Sequence, residues 1–130
     1  MRKVVFPILI SEVSKRFGLT HDTLRYYERV GLIPPVPRSA NGIRNYTDHI
    51  CRWIGFVHGM RNAGVSIEVL KEYVTLYAQG EPTRAKRKAL LQNELVKIQK
   101  HIDELQAFKD KLTYKVAHYD TIEEKFGLDD

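Results

Sequence analysis

The residues best placed to do chemistry lie in one stretch, Thr20-His-Asp-Thr-Leu-Arg-Tyr-Tyr-Glu-Arg-Val-Gly-Leu32. At about 100° per residue on a helix, Leu24 and Tyr27 share one side, and Asp22, Arg25, Tyr26 and Arg29 share the other. The first pair suits packing; the second set is free to meet a ligand. Arginine presents a planar fork that fits a phosphate or the edge of guanine, and a tyrosine hydroxyl suits phosphate oxygens. Thr20, His21 and Thr23 fall at the start of the helix, where the dipole also favours anions or base edges. The chemistry is nucleic-acid recognition. No Ser/His/Asp grouping, Gly-rich phosphate loop or paired carboxylate motif accompanies it, so an enzyme is not expected.

The charge distribution agrees. The formal net charge is +5, and residues 1–46 carry eight Lys/Arg against three acids, whereas residues 47–130 carry thirteen of each sign. The whole imbalance therefore sits in the segment that holds the arginine and tyrosine helix, as expected of a surface facing phosphates. A single cysteine, Cys51, excludes an intramolecular disulfide and a Cys-rich metal site. The histidines His21, His49, His58, His101 and His118 have no i,i+3 or i,i+4 partner, so no metal and no cofactor is expected. No apolar run reaches membrane-spanning length, and Pro7 interrupts the short one near the N-terminus, so a cytoplasmic chain without membrane partners is expected.

These residues need elements to hold them. Ile8–Ile10 reads as a short strand or helix lead-in, and Ser11 is placed to cap a helix running to Phe17. Gly18 ends that helix, Thr20 caps the next, and Gly31 stops it near Val30. Two short helices around a Gly-containing turn form a helix-turn-helix. Pro34-Pro35-Val36-Pro37 breaks the chain, and Asn41-Gly42 then signals a small hairpin flanked by Arg38 and Arg44, which reads as a wing. On so thin a hairpin Arg44 has little to pack against, which favours contact with the minor groove or the DNA backbone. Thr47 or Asp48 caps a third helix striped by Ile50, Trp53, Ile54, Val57 and Met60. Ser66 opens a fourth, striped by Ile67, Leu70, Tyr73, Val74 and Tyr77.

From Thr83 to Tyr119 there is neither Gly nor Pro. Leu91, Leu95, Ile98, Ile102, Leu105, Lys109, Leu112, Val116 and Tyr119 step by four and three, a coiled-coil seam. Residues 91–119 would span roughly 40 Å as a helix, so the seam calls for a partner, most economically a second copy. The spacing leaves parallel and antiparallel pairing open.

The order of these motifs resembles the MerR family of bacterial transcription regulators. The resemblance rests on Leu24-Arg-Tyr-Tyr-Glu28, Gly42-Ile-Arg44-x-Tyr46, Arg61-x-x-Gly64-x-Ser66 and the long helix, covering about residues 9–119. It implies a mainly α fold, a winged helix-turn-helix DNA-binding head followed by a long dimerisation helix in an antiparallel coiled coil. The boundaries drawn are 9–80 for the head, 81–119 for the coil and 120–130 for a short acidic tail. The resemblance further implies a homodimer on pseudo-palindromic promoter DNA, distorting it for RNA polymerase, with Arg25, Tyr26, Arg44, Tyr46 and Arg61 facing DNA.

Among relatives of this kind the chain looks most like the short stress-responsive subgroup, whose members place a cysteine just before the Met-Arg-Asn-Ala-Gly run. Here that position is Gly59, and Cys51 lies about two turns earlier, off the apolar stripe of its helix and so open to partial exposure. Cys51 is read either as a structural thiol or as a redox group, with Arg52 the nearest charge in sequence. The alternatives to a stress-promoter regulator are a coiled-coil adaptor whose head binds protein and a constitutive repressor without a small effector.

Overall fold

In a computed structural model, which describes residues 6–121, the chain forms five α-helices among those residues and no extended strand. Helix α1 spans Ile10–Phe17, α2 His21–Arg29, α3 Asp48–Asn62, α4 Ile67–Ala78 and α5 Arg84–Ala117, with a 3-10 turn at Glu81–Thr83. The backbone divides into two compact units, the first ending at Leu91 and the second beginning at Gln92.

Helix starts follow the capping chemistry except at α1. Thr20, Thr47 and Ser66 accept from the N–H groups of Thr23, Ile50 and Val69 respectively. The cap expected at Ser11 is corrected: α1 begins one residue earlier, after extended Leu9, whose carbonyl accepts from Glu12 and Val13 at 3.1 and 3.2 Å. No side chain caps this helix. Gly18 takes φ 66°, the left-handed region that closes α1, and its N–H returns to Ser14 O, which sets the turn into α2.

Ile8 is a lead-in, not a strand. Its N–H donates to Asn45 Oδ1 at 3.0 Å and its carbonyl accepts from Tyr46 N–H at 2.9 Å, so the N-terminal segment is stitched to the wing. The wing itself is smaller than a hairpin of two strands: a single antiparallel bridge joins Arg38 and Arg44. Ser39 N–H donates to Ile43 O at 2.7 Å around the loop Ala40–Gly42. Only Gly42 enters the left-handed region, at φ 83°, so Asn-Gly does not form the two-residue mirror-image turn its sequence suggests. It closes a three-residue loop, the next commonest solution.

The core of the first unit draws Val13 from α1, Leu24 and Tyr27 from α2, and Ile50, Ile54 and Val57 from α3, with Leu32, Ile33 and Val36 from the proline-rich link. Gly55 lets α1 approach α3: a Cβ there would meet the Phe17 ring at 3.3 Å.

The long helix is described by itself beyond Leu91. Leu95, Ile102, Leu105, Leu112, Val116 and Tyr119 are exposed, each by at least 39%, while Leu91 and Ile98 are partly covered. Helix α5 ends at Ala117, so Tyr119, expected to close the seam, lies in the turn that follows.

Candidate nucleic-acid interface

Helix α2 divides as its periodicity requires. Leu24 and Tyr27 are buried, and His21, Arg25 and Arg29 are exposed. Tyr26 is half-buried, and the Arg29 guanidinium lies over its ring at 5.6 Å, where the negative face of the ring attracts it. At the helix start, Thr20 Oγ1 donates to Thr23 Oγ1 at 2.9 Å. Arg25 stands 3.4 Å from Asp22, an exposed pair that phosphate can displace at little cost.

His21 and Arg25 of α2 join Arg38 and Arg44 of the wing along one groove of about 480 Å³. Leu9, Ile10 and Ser11, the uncapped start of α1, form part of the same lining together with Ile43. A basic channel beside a helix start that no side chain caps is a place for an anionic backbone. Thr20, Thr23, Tyr26, Arg29 and Arg61 lie outside that lining. Arg61 is exposed at the end of α3, held by a 2.6 Å bond from Nη1 to Val65 O.

Two expectations are corrected here. Tyr46, expected to face DNA, is wholly buried, and its hydroxyl has no hydrogen-bond partner among the described residues. Burial pushes this phenol above the ordinary tyrosine value, opposed by Arg44 and reinforced by Glu28. It anchors the wing to the head from inside and cannot reach a ligand. Arg44 does have something to pack against. Its Nε donates to Glu28 Oε1 at 2.8 Å, and Glu28 Oε2 accepts from Val36 N–H at 2.8 Å.

One carboxylate therefore ties the recognition helix, the link and the wing together. Both side chains are largely shielded, Arg44 at 29% and Glu28 at 20% exposure, so the bond is stronger than a surface pair. The cation that Glu28 meets is Arg44 of the wing, not an arginine of its own helix. Nothing in local spacing pairs positions sixteen apart.

Cys51 also differs from expectation. It is buried, its Sγ donates to Tyr46 O at 3.5 Å, and burial pushes its thiol up in spite of Arg16 nearby. Arg16, not Arg52, is the cation that acts on it. A protonated, covered thiol is a poor nucleophile. Among the described residues no group of three or more His, Cys, Asp or Glu is placed to hold a metal ion, and no helix is long and apolar enough to cross a membrane.

A helix-turn-helix with a basic groove and a wing defines a DNA-binding regulatory protein. The chain belongs to the MerR family: residues 8–76 match the model for the MerR HTH family regulatory protein, and residues 51–114 match that for the MerR DNA-binding region. It is 56% identical over 85 residues to the transcriptional regulator AdhR of Bacillus subtilis, a match over 65% of this chain and 61% of AdhR. A solved structure from Listeria monocytogenes, described as a MerR family transcriptional regulator, is 42% identical with a TM-score of 0.83, covering 88% of this chain and 86% of that one. HiNmlR, a MerR family regulator lacking the sensor domain and solved bound to promoter DNA, is 29% identical with a TM-score of 0.82, over 88% and 91% of the two chains.

Proposed function

We propose that this transcription regulator acts as a homodimer on a pseudo-palindromic promoter. Helix α2 of each protomer enters the major groove, the Arg38–Arg44 wing lies on the flanking backbone, and the paired α5 helices set the distance between half-sites. The observation that carries the reading is the shared groove of His21, Arg25, Arg38 and Arg44 beside the uncapped start of α1. The similarity to HiNmlR, itself solved on promoter DNA, supports it. The exposed Leu95, Ile102, Leu105, Leu112 and Val116 support a second copy, because a helix of that length leaves them in water otherwise. The dimer distorts the promoter for RNA polymerase in the cytoplasm. The alternative of a protein-binding adaptor gains nothing from a groove lined by three arginines.

Footprinting on the chain's own upstream promoter region, repeated across salt, tests the proposal. A two-fold protected site is expected, with affinity falling steeply as salt rises. Arg25→Ala is expected to weaken binding about tenfold and to lower the salt slope by about one. No protected site at moderate salt, or a slope unchanged in the variant, would count against it.

A further inference from the structure

On the side of the first unit formed by α3 and α4, His49, Arg52, Trp53 and Phe56 of α3 and Tyr73 and Tyr77 of α4 line a cavity of about 290 Å³. The rings build its wall. Trp53 meets Tyr77 at 4.9 Å and 78° and Tyr73 at 5.8 Å and 61°, and Phe56 meets Tyr73 at 5.4 Å. Edge-to-face packing fixes this wall, so the cavity does not depend on a ligand to keep its shape.

The polar groups are unequally used. Arg52 is exposed and makes no hydrogen bond or ion pair with any described residue, although it lines the cavity. No carboxylate lines the cavity. A second arginine, Arg87, already covers the Tyr77 ring at 5.3 Å and is held there by a bond from its Nε to Thr83 Oγ1 at 3.1 Å. With one ring face taken by a guanidinium and a free guanidinium beside it, a cationic guest is repelled and an anionic one attracted. The hollow is open to solvent on one side and smaller than a drug-sized cleft, with room for one ring and one charged group.

We propose that this cavity binds a planar aromatic carboxylate of single-ring size, with Arg52 taking the carboxylate in its fork and the Trp53, Phe56 and Tyr73 rings taking the aromatic body. Helix α3 carries the cavity on one face and is capped by Thr47, directly after the wing anchor Tyr46. A guest that shifts α3 therefore reaches the wing, which makes this the effector class for the regulator. That consequence rests on the promoter-binding reading; the binding site does not.

Trp53 is the sole tryptophan, so the full chain reports on its own cavity. Titration with benzoate in the absence of DNA is expected to change Trp53 emission saturably. Benzamidinium, the same shape with opposite charge, is expected to bind at least tenfold more weakly. Arg52→Gln, at an exposed position that leaves the core intact, is expected to weaken benzoate at least tenfold and to strengthen benzamidinium, because the like charge is gone. An unsaturable response, equal response to both probes, or wild-type benzoate affinity in the variant overturns the site. So does benzoate binding that appears only as dilution separates the protomers, since a second copy would then own this face. A promoter-affinity shift of about threefold on adding benzoate, absent in Arg52→Gln, is expected for the effector role, and no shift overturns that role alone.

Discussion

The two units of the chain solve the problem of apolar surface in opposite ways. Every buried apolar side chain among the described residues lies between Val13 and Leu70, where three-dimensional packing of α1–α4, the link and the wing covers them. Helix α5 from Leu95 onward leaves its apolar row in water. The head is complete as one copy, whereas the long helix is half of something. Stability of the first should be independent of protein concentration, and that of the second should not.

The sharpest way to break this contrast is a charge on the seam. Leu105 sits midway along the row and is 56% exposed in the single chain, so Leu105→Glu costs a single copy little. In a dimer it buries a carboxylate against apolar neighbours. Sedimentation should show a monomer, and promoter affinity should fall about a hundredfold or more through lost bivalency. The melting of the head should be unchanged. A Leu105→Glu protein that remains dimeric would remove the seam as the dimer interface.

Within the head, the contrast sharpens to one bond. Glu28→Gln keeps an acceptor for Val36 N–H but takes the charge from Arg44, leaving a shielded guanidinium facing an amide. Promoter affinity is expected to fall about tenfold, because the wing is no longer aligned with α2, with a global stability loss of about 1–2 kcal/mol. If affinity is unchanged while stability falls, the carboxylate only supports the fold.

Much of this was legible in sequence. Caps at Thr20, Thr47 and Ser66, stops at Gly18 and Gly31, and the burial of Leu24 and Tyr27 all follow from local chemistry and helical period. What was not legible depends on distant pairing. Tyr46 shares a motif with Arg44 yet faces inward, since the fastening of its backbone to Ile8, thirty-eight residues away, decides its direction. Cys51, placed off the helical stripe, is covered because α3 is surrounded on more than one side. Period identifies the face that packs first; it does not say how many neighbours arrive.

Cys51 gives a smaller test of the same completeness. With its thiol covered and its pKa raised by burial, alkylation of the native protein at pH 8 should be slow, and should speed up in denaturant. Cys51→Ala should cost about 1 kcal/mol in urea unfolding, the loss of one small buried group. Rapid labelling of the native protein would show that the thiol reaches solvent and would reopen a redox role.

The smallest expected effect probes an unsatisfied polar atom inside the head. The Tyr46 hydroxyl is buried without a described partner, and an unpaired buried hydroxyl costs about 1–3 kcal/mol. Tyr46→Phe removes the oxygen and keeps the ring, so the variant should be more stable by about 1 kcal/mol at pH 8. The pH dependence carries the same sign. Because burial raises the folded phenol above 10.0, the unfolded chain loses this proton first as pH rises. Stability is therefore whole below pH 10 and declines above it. Tyr27, whose phenol burial also raises, adds to that decline and remains in the variant. Urea unfolding across pH 8–11 should show Tyr46→Phe starting higher and declining less, but still declining. A variant less stable than the parent, with the alkaline decline unchanged, would mean that the hydroxyl is bonded in solution, and the head would then be as complete as its apolar core suggests.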